Sequence, residues 1–198
     1  MHHLSSFEKF LSESKVNEST DLIETSSGNL IIVSDYAKNH IKDHNELGTG
    51  SIFRKGITDT EILNMVERIK NEVNPSQSAY QIKVPRIGYN LVLPYDEAMN
   101  LEGSVESTTE KKEGPNTVTV PLVQTTQKLS DFSTDEITLI VRPSNPQFLP
   151  EDIKTDPEVM MKIEDGKCYS LLTAFPGDPD IPKSSEWNGR YAVVVPSF

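Results

Sequence analysis

Apolar positions recur at helical spacing early in the chain, and the period shortens to two after Pro75. Leu30-Ile31-Ile32-Val33 is a continuous apolar run rich in β-branched residues, which predicts a buried strand. Ser34 can cap a helix starting directly after it, because its hydroxyl can accept from an exposed amide of a first helical turn. The spacing then predicts a helix to about Asn45, with Ala37, Ile41 and His44 on one side. A second helix is predicted over residues 58–73. Thr58 and Glu61 form a capping-box pattern, Ile62, Val66, Ile69 and Val73 share one face, and Pro75 closes it.

Beyond Pro75 the alternation marks strands. Tyr80–Val84 is the first, and Tyr89–Leu93 and Val118–Val123 are expected to pair as a long hairpin. Residues 102–114, charged and poor in apolar anchors, are expected to form its mobile tip. Ile137–Val141, Cys168–Phe175 and Tyr191–Val195 supply further strands. Helices first and strands afterwards predict an α+β domain. Its two N-terminal helices would pack on a mainly antiparallel, four- to five-stranded sheet.

Composition refines this picture. Only 35% of the 198 residues are hydrophobic, so some segments should lie outside the core. Residues 1–28 are expected to be a flexible leader, leaving 29–198 as the domain: Phe7, Phe10 and Leu11 share a short helical face, and a Ser/Thr/Asn/Glu-rich run follows. No apolar run approaches the roughly 20 residues of a membrane span. The first residues lack the basic patch and apolar stretch of a secretory signal. Cys168 is the single cysteine, which excludes an intrachain disulfide and a cysteine-based zinc site and points to a reducing compartment. The net charge of −11 excludes nucleic-acid binding through bulk charge. A local basic patch remains open to that role, since Lys38, Lys42, Arg54, Lys55, Lys83 and Arg86 cluster in sequence while the acidic excess lies elsewhere.

The most chemically suggestive segment is His40-Ile41-Lys42-Asp43-His44. Residues four apart on a helix project to the same side. Two imidazoles there could exchange protons near neutral pH, could begin a metal site, or could be ordinary surface histidines. The metalloprotease helix needs Glu directly after the first His, and Ile41 stands there; no third ligand is signposted, so no metal is expected. Gly48-Thr49-Gly50-Ser51 can present amides to a phosphate or can simply end the helix; it lacks the Gly-Lys-Ser/Thr ending of a nucleotide loop. Arg142, at the end of an apolar strand, can grip a phosphate or be a solvated strand-end charge. The Thr173 hydroxyl is either satisfied locally or aimed at a ligand. Trp187 and Tyr191 could stack on a base or cover the sheet.

The order of these parts resembles a known class. A strand leads to a helix with His-Ile-x-x-x-His (His40–His44), then to Gly50-Ser51-Ile52-Phe53, a second helix, a sheet, and a late strand Tyr169-Ser170-Leu171-Leu172-Thr173-Ala174-Phe175-Pro176-Gly177. Over residues 29–198 this looks like the barnase–EndoU–colicin–RelE class of metal-independent ribonucleases, in its phage and polymorphic-toxin versions. The resemblance implies RNA cleavage by the RNA's own 2′-hydroxyl, without a cofactor. It makes His44 the first choice for acid or base and His40 the second. Arg142 would hold the phosphate, Thr173 would bond a phosphate oxygen, and Ser51, Arg54 and Lys55 would contact substrate. RNA and a cognate inhibitor are the partners it implies. The strong acidity departs from the class, whose toxins are usually basic. Phe7–Glu13 is in turn similar to the head-targeting leaders of large tailed phages, trimmed after Leu/Ile-x-Glu; Leu11-Ser12-Glu13 fits and Val16-Asn17-Glu18 fits loosely. That resemblance implies phage head proteins as partners and a chain packaged in a virion and delivered to a host cytoplasm. The alternative reading is a non-enzymatic internal head protein or binding module.

Overall fold

The computed structural model describes residues 19–44, 48, 50–113, 116–178, 180 and 184–197. Among them the chain forms ten strands in two mixed sheets, with four α-helices. The first sheet contains β1 (Asp21–Glu24), β2 (Leu30–Val33), β3 (Ile52–Phe53), β4 (Ala79–Tyr89), β8 (Ser133–Pro143) and β9 (Cys168–Pro176), in the order β1-β2-β9-β8-β4-β3. Only the β2–β9 pair in it is parallel. The second sheet contains β5 (Val92–Pro94), β6 (Val105–Glu113), β7 (Asn116–Lys128) and β10 (Tyr191–Ser197), in the order β5-β10-β7-β6, with β10 and β7 parallel. The helices are α1 (Asp35–Lys42), α2 (Asp59–Ile69), α3 (Tyr95–Met99) and α4 (Pro157–Glu164).

The expectation of two helices on one four- to five-stranded sheet is therefore corrected. Each sheet has both faces covered, which needs four apolar surfaces rather than one. On the first sheet, Ile31, Val33, Tyr80, Leu139, Val141 and Leu171 pack with Ile41 of α1 and Ile62, Met65, Val66 and Ile69 of α2. Leu30, Ile32 and Cys168 face the other way, against Leu149, Ile153 and Val159. Burial on both faces is why β2 reads as an unbroken apolar run. In the second sheet Ala192 and Val194 join one cluster and Val193 the other, as strand alternation requires. Trp187, 2% exposed, covers that sheet with Val92, Val120 and Val193.

Local chemistry fixes the two predicted helices. The Ser34 side chain accepts from the Ala37 amide at the start of α1. At α2 the capping box closes in both directions: the Glu61 amide donates to Thr58 Oγ1 (3.3 Å) and the Thr58 amide to Glu61 Oε2 (2.9 Å). The helix ends at Ile69, four residues short of expectation, although Val73 is still buried.

Three further expectations change. Tyr89 lies in β4 opposite Ser133, and Val92 pairs with Val193, so Tyr89–Leu93 is not the hairpin partner of Val118–Val123. That partner is β6, drawn from the segment read as a mobile tip; Thr109 stands opposite Val120 and Lys111 opposite Val118. An edge strand is held by its ladder and can carry charge on its open side, so poverty in apolar anchors did not exclude it. Within the supposed leader, Asp21–Glu24 forms β1 on β2. It is tied to α1 by Lys38, 3% exposed, whose ammonium pairs with Asp21 (2.8 Å) and Asp35 (2.6 Å). Burial alone would lower the Lys38 pKa, but the bonds to Asp21 and Asp35 overcome this and hold it above its ordinary value. The two trimming motifs, at residues 11–13 and 16–18, lie outside the described residues. No helix among the described residues is long and apolar enough to cross a membrane.

Candidate functional site

His44 sits just past α1 with its backbone pinned from two sides. Its amide donates to the Ile41 carbonyl (3.2 Å), and its carbonyl accepts from the Phe53 amide (2.9 Å), which fastens the helix end to β3. This fixes where the ring points. His44 Nε2 and Thr173 Oγ1 are 3.3 Å apart, a hydrogen bond whose direction follows the imidazole tautomer. Thr173 and Phe175 are two apart on β9 and share a face, and the Phe175 ring lies 6.5 Å from His44. The register between β8 and β9 slips just before Thr173: Ile140 opposes Thr173 and Val141 opposes Leu171, so Leu172 is unpaired. Such a bulge re-aims the side chains that follow it.

His40 lies one helical turn before His44, and the rings meet edge to face at 5.2 Å. Tyr36, one turn earlier, stacks on His40 with centroids 6.3 Å apart. Burial lowers the pKa of both histidines. For His44, proximity to His40 and Lys111 adds to it and brings the value to about 4. For His40, Lys111 also pushes down, while Asp43 pulls the other way. His44 is therefore neutral at pH 7 and able to accept a proton.

Ser51, 6% exposed, is committed to the fold. Its hydroxyl donates to Asn90 Oδ1 (3.1 Å) and accepts from the Leu91 amide (3.2 Å). Gly177, at φ +126°, closes over this pair; a Cβ there would fall 2.9 Å from Asn90 Oδ1. Arg54 is exposed beyond β3, and Lys55 pairs with Glu61 at 3.2 Å. Arg142 is exposed at the end of β8, opposite Ser170. Among the described residues no hydrogen bond or ion pair joins Arg142, Arg54 or Lys55 to the two imidazoles. The structure thus brings together His40, His44 and Thr173 and holds Ser51 in a neighbouring lock.

Sequence reasoning passed over Lys111, Tyr36 and Asn90, and placed Phe175 only as the end of a strand. The charge of Lys111 bears on both imidazoles, and its place in the fold follows from β6 being a strand. Nothing in Glu110-Lys111-Lys112-Glu113 distinguishes that lysine from its neighbour. Tyr36 could have been found, since Tyr36, His40 and His44 repeat every four residues on one helical face. Two shallow concavities of about 230 Å³ each lie elsewhere, one against Trp187 and Asn188 and one against Tyr95 and Arg190. Among the described residues no group of three or more His, Cys, Asp or Glu side chains is placed to hold a metal ion. In comparisons with known proteins, no protein-family model, no curated protein and no solved structure matches this chain.

Proposed function

We propose that the chain is a metal-independent endoribonuclease, or toxin-like RNA-acting domain, of phage or mobile-element origin. The observation that carries this reading is the 3.3 Å contact between His44 Nε2 and Thr173 Oγ1, residues 129 apart in sequence. Both are residues the ribonuclease resemblance singles out. The support is local to the site; the two-sheet architecture lends it none.

In this mechanism neutral His44 takes the proton of an RNA 2′-hydroxyl as its oxygen attacks the adjacent phosphorus. The bond to the 5′-oxygen breaks, and that oxygen receives a proton from His40 in its imidazolium form. The products are a 2′,3′-cyclic phosphate and a 5′-hydroxyl. A bound phosphodiester raises the pKa of both imidazoles by its negative charge, which favours the acid form of His40. Thr173 holds the His44 ring in line or passes its hydrogen bond to a phosphate oxygen. RNA is then the substrate, and an inhibitor that covers the histidines is the expected protein partner.

A second reading, a non-enzymatic internal head protein or binding module, is favoured by the net charge of −11, which repels RNA. The deciding experiment incubates the protein, with and without residues 1–18, with total RNA in EDTA. Cleavage that leaves cyclic phosphate ends supports the ribonuclease. Intact RNA with both forms at high protein concentration ends that reading in favour of the second.

A further inference from the structure

Arg54, Lys55, Arg68, Lys83 and Arg86 are all exposed where β3 meets β4, in a chain whose net charge is −11. The meeting point is a wide bulge. Lys83 opposes Glu136 and Gly88 opposes Thr134, so residues 84–87 of β4 stand against Asp135 alone. Arg86 lies in this bulge at φ +51°, a left-handed conformation that glycine takes freely and arginine only at a cost. Its side chain is exposed, so no packing offsets that cost. The Asp135 carboxylate accepts from the Arg86 amide and holds the backbone in place. Arginines are bonded to both ends of the bulge. The Arg68 guanidinium donates to the Lys83 carbonyl (2.9 Å), and the Arg54 amide donates to the Ile87 carbonyl (2.9 Å).

The carboxylates nearby are engaged elsewhere. Glu61 closes the capping box of α2 and pairs with Lys55 (3.2 Å). Asp135 serves the Arg86 amide, and Glu136 accepts from Gln81 (3.1 Å) and stands 3.9 Å from Lys83. Among the described residues no hydrogen bond or ion pair engages the guanidinium of Arg54 or Arg86. The patch is tied to the histidines through the backbone: the Phe53 amide fastens the His44 carbonyl (2.9 Å), and Arg54 is the next residue. We propose that this bulge docks the phosphate backbone of the RNA strand on which His44 acts, with Arg54 and Arg86 as its principal contacts. This deepens the ribonuclease reading and rests on it for the identity of the polyanion as RNA. The two arginines make no bond to the imidazoles, so they hold phosphates that flank the scissile one. A guanidinium suits that task, because it can grip a phosphate by two parallel hydrogen bonds. A local patch of this kind lets a chain of net negative charge attract RNA.

The test uses the whole chain and a fluorescent single-stranded RNA whose 2′-hydroxyls are methylated, so that it binds without being cut. Anisotropy titrations at a series of salt concentrations should show affinity falling linearly on logarithmic axes. Arg54→Gln and Arg86→Gly should each weaken binding and lower the salt slope by about 0.7, the share of one phosphate contact on a single strand. Arg86→Gly also relieves the left-handed backbone, so it should melt close to the native protein while binding less. Lys154→Ala, which removes an exposed charge paired with Glu151, should leave affinity and slope unchanged and so controls for bulk charge. Melting temperatures establish that each variant is folded, and Arg86→Gly alone decides if Arg54→Gln is not. The proposal is overturned by a native protein that does not bind at low salt, or by an unaltered slope in the folded arginine variants. An equal loss in Lys154→Ala, or poly-glutamate bound as tightly as the RNA, overturns it too. A cleavage assay separates it from the reading it rests on. With unmodified RNA, the arginine variants should raise KM more than they lower kcat. If methylated RNA binds through the arginines while unmodified RNA stays intact, the docking surface stands and the ribonuclease reading fails. If both variants cleave RNA with the native KM, the ribonuclease reading stands and the bulge loses its role.

Discussion

His44 Nε2 lies 3.3 Å from Thr173 Oγ1, so the end of α1 and the middle of β9 are joined through side chains across 129 residues of chain. If His44 is the base, His44→Ala should lower RNA cleavage by roughly 100-fold or more, with little change in melting temperature. Thr173→Val keeps the shape and removes the hydroxyl. If Thr173 works through the His44 ring, the double variant should be no slower than His44→Ala alone. If Thr173 bonds the phosphate directly, the two losses should add. Single-turnover rates for the four proteins separate these outcomes. Full activity in His44→Ala would remove the imidazole from the reaction.

The same burial that keeps His44 neutral makes it a source of acid sensitivity. Its pKa is about 4 in the fold, against about 6.5 for a free imidazole, so the unfolded chain binds more protons between those values. The stabilising contribution is complete above pH 6.5 and is lost as pH falls toward 4, on the order of 3 kcal/mol in all. Urea unfolding across that range should show the native protein losing stability faster than His44→Gln. Parallel pH profiles for the two proteins would show that His44 titrates normally.

The legibility of each feature in the sequence tracks the range over which its signal acts. The capping box at Thr58 and Glu61, the Ser34 cap and the apolar face of α2 involve neighbours in the chain, and all appear as expected. Pairing is non-local, and there the reading failed. Val92 pairs with Val193 rather than with the strand predicted for it, and the charged segment from Val105 is held by hydrogen bonds to β7. Apolar content carries no record of such bonds. The site divides in the same way. His40 and His44 were legible from helical spacing and Thr173 from the family resemblance, while Lys111, whose charge bears on both imidazoles, was hidden in a segment expected to be a mobile tip.

The helical face of α2 offers a direct check on packing. Ile69 is 1% exposed and packs in the same core as Tyr80 and Leu139. Truncating it removes buried methyl and methylene groups and leaves a space that the covered sheet cannot readily close. Ile69→Ala should cost about 2–5 kcal/mol. A change within error in urea denaturation would mean that α2 does not pack on the sheet through this residue.

Gly88 couples the scaffold to the site, and a single methyl should show it. Gly88 lies in β4 opposite Phe53 of β3. A Cβ there would come within 2.8 Å of Pro176 Cβ, and closer still to Pro176 Cγ and the Ile52 carbonyl oxygen. One obstacle is backbone and the others belong to a proline ring, so none can swing aside. Both lead to His44. Ile52 precedes Phe53, whose amide holds the His44 carbonyl, and Pro176 follows Phe175, whose ring flanks the imidazole. Gly88→Ala should therefore destabilise the fold toward the upper end of the ~1–3 kcal/mol typical of overpacking. Because the strain enters between β3 and β9, it should also part His44 from Thr173 and displace the His44 ring signals. Gly56→Ala is the matched control: nothing lies within 4 Å of its Cβ position, and it should be neutral or slightly stabilising. If Gly88→Ala melts like the native protein and leaves the His44 ring unmoved, β3 and β9 do not approach this closely, and the clamp on His44 is not there.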